Sequence, residues 1–98
     1  MYDFKNKIND IADRMTANIK AANTIHPLSW SEYHQRRSYQ NAALANCKQL
    51  LMELQKVVEI FEVDINKFSQ HTKAINREID LIKRWRQRDN KIKSRLQG

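Results

Sequence analysis

Glycine and proline are nearly absent from this chain: of its 98 residues one is glycine, Gly98, and one is proline, Pro27. A β-sandwich or a nucleotide-binding α/β fold needs many tight turns, and a phosphate-cradling loop needs glycine, so both are excluded. Cysteine is equally scarce, and Cys47, standing alone, cannot close an internal disulfide. No apolar run is long enough to span a bilayer and no charged-then-apolar leader opens the chain, so the expectation is a soluble, cytoplasmic protein. What remains is rich in Lys, Arg, Gln, Leu, Ile and Ala, residues that favour helix. The expected fold is all-α, an antiparallel helical bundle of three long helices in one domain covering residues 1–98. At this size a single hydrophobic core is adequate but not generous.

Charge is unevenly placed. The stretch from Lys83 to Arg95 holds seven basic residues (Lys83, Arg84, Arg86, Arg88, Lys91, Lys93, Arg95) and one acid, Asp89. Residues 1–82 hold eleven basic and ten acidic residues, so six of the seven net charges lie in the last sixteen positions. Two or three cations suffice to complement a helix dipole. Seven in one stretch point to a surface for a polyanion.

Hydrophobic spacing lays out the helices. Phe4, Ile8, Ile11, Met15, Ile19 and Ala22 recur every three or four residues, which predicts an amphipathic helix over about 2–23. Pro27 stops it, and Ser29 with Glu32 forms a capping box that opens a second helix over about 30–62. Its stripe is Tyr39, Ala43, Cys47, Leu50, Leu54, Val57 and Phe61, with Leu44, Leu51 and Val58 as a second row, enough for two neighbours. Asp64 is the expected cap of a third helix over about 65–96, after a break at Glu62–Val63. Its apolar row runs Ile65, Phe68, Thr72, Ile75, Ile79, Ile82, Trp85, Ile92 and Leu96. Arg84, Arg88, Lys91 and Arg95 follow steps of 4, 3 and 4 and share one face, where a row of cations meets successive phosphates. The first helix is about ten residues shorter than the others, so apolar surface on the second and third is left over, and oligomerisation is the expected remedy.

Catalytic chemistry finds little support. His26, His34 and His71 lie on separate segments with no ligand spacing to Cys47, and Cys47 reads as a small buried hydrophobe. No enzyme activity, cofactor, metal or small-molecule substrate is expected. Arg37 falls on the apolar side with Trp30 and Tyr33, where pairing with a carboxylate of another helix or subunit is favoured over snorkelling. Trp85 reads as a core or interface anchor first and a base-stacking residue second. A membrane surface is the weakest partner, because Asp89 interrupts the apolar face near the cationic end. Two functions stay open: nucleic-acid binding, and a phage- or host-encoded helical interaction module, inhibitor or adaptor, whose basic face engages an acidic protein.

A family resemblance bears on that choice. Ala22-Asn23, the Pro-containing break, Arg36-Arg37-x-Tyr39-Gln40 and Cys47-x-x-Leu50-Leu51-x-Glu53-Leu54 resemble the four-helix-bundle proteins called Avd, as do Ile79-x-x-Ile82-x-x-Trp85-Arg86 and Asp89-Asn90-Lys91. Avd proteins are accessory variability determinants of diversity-generating retroelements, related to proteins encoded in 23S rRNA intervening sequences. The similarity runs from about Asn18 onward and rests on dispersed residues. It implies a basic helical protein that forms a ring-like homo-oligomer, a pentamer in the family. Such a protein binds a reverse transcriptase and its template RNA and supports mutagenic cDNA synthesis without catalysing it. The family's arginine-rich surface maps onto Arg84, Arg86, Arg88 and Lys91, and its structural positions onto Arg36, Arg37, Tyr39, Trp85 and Arg86. The family bundle has four helices against the three read here, so either the second helix is broken near its alanines or an N-terminal helix is missing.

Overall fold

The computed structural model describes residues 4–61 and 65–97, the side chains of Phe4 and Ile65 excepted. Three helices make up almost all of it: α1 (Phe4–Thr24), α2 (Trp30–Phe61) and α3 (Ile65–Gln97). Among the described residues there is no strand. The protein is therefore all-α, and α2 runs unbroken for 32 residues through its alanines rather than splitting in two. The expected helix start at Tyr2, Asp3 near it, the break at Glu62–Val63 and the cap at Asp64 lie outside the described residues.

Local chemistry accounts for the one described boundary. At the end of α1 the Ile25 N–H donates to the Ala22 carbonyl at 3.2 Å, and the Thr24 hydroxyl donates to the Ala21 carbonyl at 2.8 Å. These bonds satisfy carbonyls that the helix leaves without partners. Pro27 follows and prevents continuation. The Ser29 hydroxyl oxygen then accepts from the Glu32 N–H at 3.3 Å, while Glu32 reaches back to accept from the Leu28 N–H at 3.3 Å. This reciprocal cap starts α2 where the sequence pattern places it.

α2 is the middle element. α1 lies antiparallel along one side, as Lys7 with Glu53 and Asn18 with Asn46 show, and α3 lies antiparallel along the other, as Arg36 with Asp89 and Asn41 with Arg86 show. Among the described residues no Cα of α1 comes within 8 Å of α3. The outcome is an open slab, 55 × 24 × 15 Å, with a radius of gyration of 16.2 Å, against about 13 Å for a compact chain of this length.

The core sits where both flanking helices reach over α2. Ala43, Leu44 and Cys47 meet Ile79 and Ile82, and Met15, Ile19, Leu51 and Ile75 close around them. Ala43 is fully buried, and its small side chain lets a neighbouring backbone come close. α1 has 21 residues to the 32 of α2, about 32 Å against about 48 Å at 1.5 Å per residue. With Lys7 already level with Glu53, the last turns of α2 run past α1, and Ile60 and Phe61 are exposed there. Phe61 thus departs from the expected buried stripe, at 59% exposed. No helix among the described residues is long and apolar enough to cross a membrane.

Two adjacent positions test this packing. Ile82 is 2% exposed and Leu81 is 49% exposed. Ile82→Ala should lower unfolding stability by about 2–5 kcal/mol in urea titration. Leu81→Ala should change it by no more than about 0.5 kcal/mol.

Candidate nucleic-acid interface

The cationic stretch sorts into residues that face solvent and residues that build the fold. Lys83, Arg84, Arg88, Lys91, Lys93 and Arg95 are exposed, and none of them pairs with a described acid. Arg86 is half-buried: its Nη1 donates to Asn41 Oδ1 at 2.9 Å and its backbone carbonyl accepts from Arg37. Its guanidinium ties α3 to α2 at the surface. Arg84, Arg88 and Lys91 line a shallow groove of about 590 Å³ with Leu81 and Gln87. Next to it Lys73, Arg77 and Arg84 line a second, of about 500 Å³, with Asn76, Asp80 and Leu81. Leu81 also borders the cleft between α1 and α3, about 230 Å³, with Ile19, Asn23, Glu78, Ile82, Trp85 and Arg88.

Asp89, the one acid of the stretch, points the other way. It is 5% exposed and accepts from Arg36 Nε at 2.8 Å and Arg36 Nη2 at 3.0 Å, a two-pronged pair between α2 and α3. Gln40, fully buried, donates to the same carboxylate at 2.9 Å. Arg36 Nη1 donates to the Ile25 carbonyl just after α1, at 2.9 Å, and its guanidinium lies 5.1 Å from the centre of the Trp85 ring. One arginine of α2 thus holds both α3 and the chain just after α1.

Arg37 corrects the expectation for this pair of arginines. The partner carboxylate goes to Arg36. Arg37 Nη2 instead donates to the Tyr33 hydroxyl at 3.0 Å, the Arg86 carbonyl at 2.9 Å and Asn90 Oδ1 at 3.3 Å. Position decides it: Arg36 is one step round the helix, facing Asp89, while Arg37 faces the backbone of the next α3 turn. Tyr39 is half-buried on α2, and Trp85 is half-buried beneath Arg36.

Four buried polar residues escaped sequence reasoning as site-builders: Gln40, Asn46, Glu53 and Asp89. Their signal was heptad position. Asp89 stands seven after Ile82 and seven before Leu96, and Gln40 seven before Cys47, so both occupy core rows. Asn46 and Glu53, also seven apart, face α1, where they meet Asn18 and Lys7.

Cys47 is buried and its thiol donates to Met15 Sδ at 3.2 Å. Burial, with the charge of Glu78 added, pushes its pKa up from 9.0 to about 11. Reactive cysteines need the opposite environment. Among the described residues no group of histidine, cysteine, aspartate and glutamate converges to hold a metal ion. No protein-family model, curated protein or solved structure matched the chain.

Two predictions follow from this geometry. Asp89→Ala or Arg36→Ala alone should cost about 3–5 kcal/mol in urea unfolding, because each strands a buried charge. Replacing both, with Arg36→Met and Asp89→Leu, should cost less than either single change. For Cys47, the unfolded thiol ionises near 9.0 and the folded one near 11. Between those values the unfolded state binds fewer protons, so the Cys47 contribution to stability is full below 9.0 and falls as pH rises towards 11. The Cys47→Ala variant should lack that part of the decline in urea titrations across the same pH range.

Proposed function

We propose that this chain is a non-catalytic accessory protein that binds nucleic acid through the outer face of α3. The observation that carries the reading is the separation of charges within residues 83–95. The only acid there is buried against Arg36, and six cations are left exposed and unpaired. Phosphates are the polyanion that a row such as Arg84, Arg88, Lys91 and Arg95 suits, since each neutralised phosphate releases a counterion.

The likeness to Avd proteins, carried by the residues named above, supports a more particular role. In that role the protein is cytoplasmic and works beside a reverse transcriptase, holding template RNA or cDNA during the mutagenic reverse transcription of a retroelement. Self-assembly into a homo-oligomer, a pentamer by the family likeness, belongs to the same proposal. The open slab and the exposed Met52 and Ile60 on α2 support it, since a second copy would bury what this chain leaves uncovered. A second reading, an acidic protein as the partner of the basic face, rests on the same unpaired cations, with the exposed Leu81 beside Arg84 and Arg88 offering it some apolar contact.

Fluorescence anisotropy of a labelled structured RNA at several salt concentrations separates the two. The nucleic-acid reading expects a log–log slope of about −0.7 to −0.9 for each phosphate neutralised. It also expects Arg84→Glu with Arg88→Glu to abolish binding while circular dichroism stays unchanged. Retained affinity in that double variant places the site elsewhere, and weak binding indifferent to salt turns the search to an acidic protein.

A further inference from the structure

We infer that the α3 face is built for double-helical nucleic acid, held by its phosphates, rather than for a single strand held by its bases; this rests on the nucleic-acid reading above. Proteins that grip single strands combine cations with aromatic side chains on which successive bases stack. The outer face of α3 has the cations and lacks the platform. Trp85, next to them in sequence, is half-buried, with Arg36 lying over its ring, and it lines the cleft with Ile19 and Asn23. Phe68 is half-buried on the inward row of α3. Trp30, Tyr33 and His34 are engaged with one another at the start of α2, Trp30 stacked on His34 at 5.6 Å and set edge-on to Tyr33 at 5.8 Å.

Rigidity points the same way. Arg84, Arg88, Lys91 and Arg95 sit on an unbroken helix and span about 17 Å at 1.5 Å per residue. A flexible strand must give up backbone freedom to lie along a straight, inflexible row, and without stacking nothing offsets that loss. A duplex has already fixed its phosphates and presents them at higher density. Recognition of this kind reads shape and backbone and is indifferent to base sequence. The positive surface continues along α3 beyond the groove of Arg84, Arg88 and Lys91, since Lys73, Arg77 and Arg84 outnumber Asp80 in the neighbouring groove.

The test is competition anisotropy with the full chain. The probes are an RNA duplex of about 20 base pairs, longer than the ~16 that duplex-binding domains cover, and an unstructured single strand of the same length. The duplex should bind about tenfold or more tightly, and shuffling its sequence should leave the affinity unchanged. Arg88→Gln with Lys91→Gln should flatten the salt slope by about 0.9 per cation removed. A single strand that binds equally well or better overturns the duplex assignment, as does a clear dependence on sequence. If neither form binds, the nucleic-acid reading itself falls, and this inference with it.

Discussion

The ion pair between Arg36 and Asp89 is the constraint around which the bundle is arranged. A buried pair is weak evidence of stability, because removing two charges from water offsets most of their attraction. The network here is also incompletely satisfied: Arg37 Nε and Gln40 Oε1 are buried with no hydrogen-bond partner among the described residues, a cost of about 1–3 kcal/mol each. Its value lies in specifying one arrangement. A slip of α3 along α2 by one helical turn would carry Asp89 about 5.4 Å from Arg36 and strand both charges in an apolar setting. Ridge-and-groove packing of isoleucine and leucine tolerates such slips far better. Through the Ile25 carbonyl the same guanidinium also holds the chain where it leaves α1, so register and bundle end are set together.

That pair also shapes the surface. An exposed carboxylate in the middle of residues 83–95 would lie within a Debye length, about 8–10 Å, of several of the cations and cancel part of their field. Turned inward and neutralised by Arg36, it cancels nothing outside. The helix is thus stitched to α2 by its acid and left with an uncompensated positive face on the other side. Structural specificity and surface potential are consequences of a single side-chain orientation.

Much of this was legible from spacing alone. Ile79 and Ile82 mark the inward face of α3, Ser29 and Glu32 mark the start of α2, and Arg84, Arg88, Lys91 and Arg95 mark the outward face, because three- and four-residue periodicity is a local property of helix geometry. What spacing could not resolve was which polar residues on the apolar rows find partners. Arg36 and Arg37 are neighbours in sequence, and only the rotation of α2 against α3 decides which meets the carboxylate. Arg86 sits among six other cations and looks like them, yet its guanidinium is bonded across to Asn41 on α2. Such pairings depend on positions some fifty residues apart in the chain, for which periodicity carries no information.

The openness of the slab follows from where the apolar faces of the outer helices are used. α1 and α3 both spend their apolar faces on α2, and no backbone contact joins them. The cleft between them, bordered by Ile19, Trp85 and Leu81, therefore stays beside the cationic row instead of being closed. Arg88 lines both the cleft and the first groove, so a recess of mixed polarity and a row of cations adjoin on one helix. In the proposed role this adjacency has a physical use. A nucleic acid along Arg84 to Arg95 and a protein anchored at Leu81 would share one rigid element. Binding either would then orient the other without any change of shape in the helix between them.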